Sequence, residues 1–79
     1  MENNKTSDIQ ILLHNITLLR KHHGLSKRQM AALLHIGIPN LNKIESGVLP
    51  NRLSSAVLFH LGDHFHFTPK ELLTQWLEE

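Results

Sequence analysis

Helix-start signals and helically spaced apolar residues recur along the whole 79-residue chain. Ser/Thr-x-x-Gln/Glu segments, whose side chains satisfy the first free N–H groups of a helix, begin at Ser7, Ser26 and Thr68. Apolar residues follow each signal at intervals of three and four, which is the spacing of one helix face. No segment alternates apolar and polar residues as a half-buried strand does. The sequence therefore predicts an all-α fold.

The first four predicted helices are separated by turns that contain glycine or proline. The first helix is predicted to run from about Asp8 to His23 and to stop at Gly24, because glycine adopts the left-handed conformation at low cost. The second and third helices are short. Gly37 is the predicted N-cap of the third helix, with Pro39 in its first turn, where the missing N–H group costs nothing.

All four Phe and Trp residues of the chain fall within residues 59–76, in the region of the last two predicted helices. The fourth helix starts at Leu53 or Ala56 and ends at about Phe65. Gly62 lies in its interior, where glycine costs about 1 kcal/mol relative to alanine, so we attribute it to the close approach of another helix. The fifth helix starts at Pro69, and its apolar residues are predicted to be Leu72, Leu73, Trp76 and Leu77.

The length of the chain allows one domain and leaves no room for a second core. We interpret residues 1–7 as a flexible lead and residues 8–79 as the single domain. A chain this short buries only about 60% of its unfolded surface, so a partner subunit is expected to contribute stability. The chain contains no cysteine and no apolar signal segment, which predicts a cytoplasmic protein. It contains no apolar run of about 20 residues, so it is not predicted to span a membrane.

Charge is distributed unevenly, although the formal net charge is only +1. Residues 1–52 contain seven Lys or Arg residues and three Asp or Glu residues. Residues 53–79 contain one Lys residue and four Asp or Glu residues. This division favours a basic face for a polyanion and an acidic part directed away from it, although a random scatter of solvated charges is an equal alternative.

The second and third helices are joined by the three residues His35, Ile36 and Gly37, which predicts a helix-turn-helix. Further residues of the pattern are Leu19-Arg20-Lys21, Gly24-Leu25-Ser26, Met30-Ala31, Leu34, Leu41, Ile44-Glu45, Gly47 and Phe67-Thr68-Pro69-Lys70-Glu71-Leu72-Leu73. Together they cover roughly residues 9–77, and the chain resembles the Cro and repressor type of helix-turn-helix domain, also called lambda-repressor-like or Xre-like.

The resemblance implies a compact five-helix bundle with the helix-turn-helix at about residues 26–45. It implies a non-enzymatic regulator of transcription that binds double-stranded DNA as a homodimer on an inverted-repeat operator. The recognition helix would span residues 38–45. No cofactor is implied.

The resemblance also assigns roles to individual residues. Base contacts are implied for Ile38, Pro39, Asn40, Asn42 and Lys43, and phosphate contacts for Lys27, Arg28, Gly37 and Arg52. Among these, Asn42 can pair with adenine through two hydrogen bonds, and Lys43 can donate to guanine. Arg20 is implied to pair with Glu45 and so to tie the recognition helix to the first helix.

The sequence departs from the family pattern at several positions. Ile38 and Pro39 can touch a thymine methyl group but cannot form a hydrogen bond with a base. The alternative function is therefore a protein-interaction module, such as an antitoxin or a regulator subunit, that uses Ile38, Pro39 and Leu33 as an apolar surface. His35 and His66 stand where the family prefers glycine in a turn, and histidine tolerates a positive φ angle at modest strain.

Seven histidines suggest a third function, a metal-responsive regulator that uses His60, His64 and His66. His60 and His64 are four residues apart, which can place two imidazoles on one metal ion. No glutamate lies between them as it does in a zincin, and we predict no metal site. Catalysis is not predicted either, because so short a chain has no spare scaffold for a pocket.

A dimer interface is predicted in the acidic carboxy-terminal part, away from the recognition helix. Its candidate residues are Leu73, Trp76 and Leu77. Ile11 and Leu18 lie off the main apolar stripe of the first helix and are alternative contacts.

Overall fold

Helices form at all the positions that the sequence predicts. The computed structural model describes residues 8–51, 53–75 and 77. The helices are α1 at Asp8–His22, α2 at Lys27–Leu34, α3 at Ile38–Glu45, α4 at Ala56–Phe65 and α5 at Pro69–Thr74. The described residues contain no strand, so the prediction of an all-α, five-helix fold is confirmed.

Two of the predicted capping boxes are formed in full. The Ser26 hydroxyl accepts a hydrogen bond from the Gln29 backbone N–H at 3.0 Å, and the Gln29 side chain accepts one from the Ser26 backbone N–H at 2.8 Å. Thr68 and Glu71 make the same reciprocal pair at 3.1 and 2.8 Å. These bonds satisfy N–H groups that have no partner within the helix and so fix where α2 and α5 begin. Ser7 lies outside the described residues.

One hydrophobic core holds the helices together. Its fully buried side chains come from every helix and include Ile16, Met30, Leu34, Leu41, Ile44, Leu61 and Leu72. α1 packs against α3 and α5, whereas α2 packs against α3 and α4. Because each fully buried aliphatic side chain contributes about 1.5–3 kcal/mol, the core fixes α3 firmly relative to the other helices.

The end of α5 differs from the prediction. The helix stops at Thr74, and Gln75 has an extended backbone with φ −100° and ψ 118°. Leu77 therefore lies beyond the helix and not on its apolar face, while Trp76 lies outside the described residues. The cause is a buried side chain of α1, Asn15, which binds the backbone at this end.

Asn15 is fully buried and satisfies the carboxy-terminal end of α5. Its amide nitrogen donates to the carbonyl oxygens of Leu72 and Gln75 at 2.9 and 2.7 Å. Its amide oxygen accepts from the backbone N–H of Leu77 at 3.1 Å. Free carbonyl groups at a helix end require such partners when they are buried, so one side chain fixes both the end of α5 and the path of the chain after it.

The prediction that another helix approaches Gly62 closely is wrong. A Cβ atom at this position would collide with the backbone carbonyl oxygen of Phe67, in the turn that follows α4. The close neighbour is therefore the chain's own next turn and not another helix. This turn is tight because His66 adopts a left-handed conformation, with φ 64°, and its N–H group bonds to the Gly62 carbonyl.

Histidine occupies both of the left-handed turn positions where the family prefers glycine. His35 has φ 60° and forms the C-cap of α2, and His66 has the same role for α4. Gly24 follows α1 with φ 65°, as the sequence predicts. The predicted positive φ angles at both histidines are therefore present.

Candidate nucleic-acid interface

Helix α3, which the resemblance implies is the recognition helix, is held to α1 by a bidentate ion pair. The Arg20 guanidinium donates to the two carboxylate oxygens of Glu45, at 2.5 Å from Nε and 3.0 Å from Nη2. Its Nη1 also donates to the carbonyl oxygen of Leu25 at 3.1 Å. The Arg20 and Glu45 side chains are only 15% and 9% exposed. The structure thus brings together the two residues that the resemblance pairs.

One face of α3 points into the core, and the other is open. Leu41 and Ile44 are fully buried. The residues implied to contact bases lie mostly on the open side: Ile38, Pro39, Asn42 and Lys43 are exposed, whereas Asn40 is half-buried. Ile38 has 40% of its surface exposed. The open side thus begins with two apolar residues and continues with polar ones.

One neighbouring cation, Lys27, contacts this open face of α3. Lys27 and Arg28 are exposed in the first turn of α2, and Gly37 is the exposed N-cap of α3. Lys27 is not isolated, because its ammonium group donates a hydrogen bond to the Asn42 Oδ1 atom at 2.8 Å. The resemblance implies a phosphate contact for Lys27, and no signal in the sequence predicts its hydrogen bond to Asn42. Arg52, a further implied phosphate contact, lies outside the described residues.

The three histidines of the metal hypothesis do not form a metal site. Among the described residues, no group of three or more His, Cys, Asp or Glu side chains could hold a metal ion. The ring of His60 instead stacks on that of His35, with ring centres 4.3 Å apart and planes inclined by 21°. His64 contacts the edge of Phe65.

The residues predicted to form a dimer interface are partly used by the monomer. Leu73 and Leu77 are half-buried and pack against the core. Leu18, the alternative on α1, is buried, and Ile11 is half-buried. Leu73 also lines an apolar groove that the sequence does not predict. The other residues of this groove are Ile9, Leu12, Leu49, Pro50, Asn51, Leu53, Ser54, Ser55, Val57 and Leu58. Only the fold brings these residues together, because they come from three helices and a loop.

The fold and the site define a class of protein. A short helix lies after a tight turn, is fixed on a helical core and exposes one face beside Lys27. Helix-turn-helix domains present a helix to DNA in this way. A family model described as Helix-turn-helix matches residues 16–72 of the chain. The protein belongs to this family, which confirms the resemblance to the Cro and repressor type.

Comparisons with curated proteins and with solved structures find no match. None of the described helices has the length and apolar character needed to cross a membrane.

Proposed function

We propose that this chain is a sequence-specific transcription regulator that inserts α3 into the major groove of DNA. The observation that carries this proposal is the open face of α3, which is fixed to α1 by the Arg20–Glu45 pair, exposes Lys43 and lies beside Lys27. A helix fixed in this way can meet a groove without losing further conformational freedom. Membership of a family of DNA-binding regulators supports the same function.

The bases would be contacted by Ile38, Pro39, Asn40, Asn42 and Lys43. Ile38 and Pro39 would pack against thymine methyl groups, and the polar residues would provide hydrogen bonds to base edges. Arg28, Arg52 and the backbone at Gly37 would contact phosphates, which set the register of the protein on the duplex. Lys27 can serve either group, since its ammonium lies beside Asn42.

We further propose that the protein acts as a homodimer in the cytoplasm, without enzymatic activity. Helix-turn-helix dimers bind half-sites about one DNA turn apart, so the two recognition helices must be held at that spacing. Leu73, Trp76 and Leu77 are the proposed contacts. The apolar groove beside Leu73 supports this location, because it leaves apolar surface uncovered in the monomer.

A protein partner is the second candidate, and the exposure of Ile38 favours it. An apolar residue at the start of the open face, followed by Pro39, could bind an apolar partner surface as well as a thymine methyl group. In this case α3 would bind a protein, and the interaction would depend little on salt because apolar contacts are not screened.

Selection of bound sequences from random duplex DNA at physiological salt tests the proposal. We expect enrichment of an inverted repeat whose half-sites are about one helical turn apart. Sedimentation of the protein alone and with the selected duplex then gives the number of chains bound. A folded protein that enriches no sequence would contradict DNA reading and favour the protein partner.

A further inference from the structure

The contact between Lys27 and Asn42 joins two residues that the resemblance assigns to different tasks. Lys27 lies in the first turn of α2, and Asn42 lies on the open face of α3. The Lys27 Nζ atom is 2.8 Å from the Asn42 Oδ1 atom. Both residues are exposed, so the contact is on the surface that would meet DNA.

The contact determines which way the Asn42 amide faces. A lysine ammonium group has three donors and no acceptor, so the amide atom beside it must be the oxygen. The amide nitrogen then lies on the side away from Lys27. Because Asn42 is exposed, the two N–H groups on that nitrogen are available to a ligand. The Lys27–Asn42 pair therefore presents donors from both residues together with a positive charge, and its one acceptor, the Asn42 oxygen, already accepts one hydrogen bond.

Adenine and guanine differ in the groups that such a pair would meet. In the major groove, guanine presents two acceptors, N7 and O6, whereas adenine presents one acceptor, N7, and an amino donor, N6. The usual pairing of asparagine with adenine needs the amide oxygen to accept from N6. Here that oxygen already accepts from the Lys27 ammonium group. The adenine N6 donor would have to approach the same oxygen beside this positive charge, which is unfavourable. The guanine O6 acceptor would instead be attracted by the charge.

We propose that Lys27 sets the base specificity of Asn42, so that the pair selects guanine over adenine at one position of each half-site. This inference rests on the proposed DNA-binding function. It assigns Lys27 a positioning role in sequence recognition, in place of a sequence-independent contact with phosphate. It also reverses the adenine preference that Asn42 alone would have.

The test compares the sequences selected by the wild-type protein and by matched variants. Asn42→Ala identifies the base pair that Asn42 contacts, because preference is lost there. Lys27→Met keeps an unbranched side chain and removes the donors. We expect it to lower the preference for guanine over adenine at that same base pair by about fivefold or more, since a good pairing contributes about 1–3 kcal/mol of discrimination. Lys27→Arg keeps donors at this position and should retain guanine.

Arg28→Met is the control for loss of a neighbouring exposed cation. It should weaken binding to all sequences alike and reduce the slope of log affinity against log salt by about 0.9, the effect of one phosphate contact. Thermal unfolding of each variant verifies that the fold is kept, which exposed positions such as these permit.

Three results would overturn the inference while leaving the proposed function intact. The first is a wild-type motif with adenine at the Asn42 position. The second is a Lys27→Met variant that behaves like Arg28→Met, with uniform weakening and unchanged base preferences. The third is a motif in which Asn42→Ala alters no position. If the wild-type protein enriches no sequence at all, the proposed function fails and the inference fails with it.

Discussion

The Arg20–Glu45 pair illustrates how one contact can fix the orientation of a short surface helix. Planar guanidinium and carboxylate groups meet through two hydrogen bonds, a geometry that lysine cannot reproduce. Both side chains are largely withdrawn from water. Breaking the pair would leave one charge poorly solvated, and this penalty exceeds the net contribution of the pair itself.

We expect Arg20→Met to lower the free energy of unfolding by about 3 kcal/mol, because it leaves the Glu45 carboxylate without its partner. Glu45→Gln should also destabilise the protein, and the double variant should lose less than the sum of the two. Denaturant unfolding of all three variants measures the coupling. Lys21→Met, which removes an exposed neighbouring cation, is the control and should change stability by less than about 0.5 kcal/mol. Strict additivity of Arg20→Met and Glu45→Gln would contradict the proposed anchor.

Asn15 is the buried polar residue on which the carboxy-terminal part depends. Asn15→Ala removes the partners of two carbonyl groups and one N–H group. We expect a loss of about 2–3 kcal/mol in unfolding free energy, because buried polar groups without partners cost about 1–3 kcal/mol each and some of these can regain water. Asn42→Ala, at an exposed position, is the matched control and should have a small effect.

Hydrogen exchange provides a second, local measurement for Asn15→Ala. The backbone N–H of Leu77 bonds to the Asn15 side chain and should lose its protection from exchange in the variant. The backbone amides of α2 should keep their protection from exchange, apart from the decrease that the lower global stability of the variant causes at all amides. Unchanged protection at Leu77 would show that the side chain does not hold this segment.

The sequence allows one of these two contacts to be predicted and not the other. Arg20 and Glu45 occupy positions that the family pattern pairs. Asn15 interrupts the apolar spacing of the first helix, but this alone does not identify its partners, which lie 57 to 62 residues away. Side-chain bonds to a distant backbone depend on tertiary packing and leave no local pattern in the sequence.

Two helix starts were predictable from local capping chemistry, and one helix end was not. A capping box involves residues three apart, so Ser26 with Gln29 and Thr68 with Glu71 are visible in the sequence and form as expected. The end of α5 is set instead by a residue of α1. Prediction of the fifth helix as far as Leu77 therefore failed, because apolar spacing continues past the point where the backbone is diverted.

The turn between α4 and α5 offers a pair of opposed variants. Gly62→Ala should destabilise the protein by about 1–3 kcal/mol despite the higher helix propensity of alanine, because its Cβ atom would meet the Phe67 carbonyl oxygen. His66→Gly should stabilise it by up to about 1 kcal/mol, since glycine adopts a positive φ angle without strain. Thermal unfolding measures both, and a stabilising Gly62→Ala would contradict the described turn.

At the scale of the whole molecule, the division of charge should appear in the salt dependence of DNA binding. Lys43 is exposed on the open face of α3, whereas Lys70 is exposed on α5 in the acidic part of the chain. If α3 meets DNA, Lys43→Met should weaken binding and change its salt dependence or its base preference. Lys70→Met removes the same charge and should do neither. Fluorescence titrations at several salt concentrations measure this, and equal effects of the two variants would place the DNA elsewhere.

The fold was predictable because it depends on interactions within one chain, whereas the homodimer stays a prediction. Buried residues of one apolar core show their spacing in the sequence, and the family pattern adds their arrangement. An interface between copies leaves no such signal, since Leu73 and Leu77 already pack on the core of their own chain. The apolar groove beside Leu73 combines residues from positions 9 to 73 and is visible only in the folded molecule.

The bond between Asn15 and Leu77 also has a consequence for the order of folding. It spans 62 residues, so the α1 segment is synthesised long before the segment that completes it. At about 5–20 residues per second, the ribosome needs roughly 3–12 s to make the intervening chain. During this interval the apolar surface of α1 that receives α5 is uncovered. This surface of the nascent protein therefore stays available to other chains until the carboxy-terminal segment has been made.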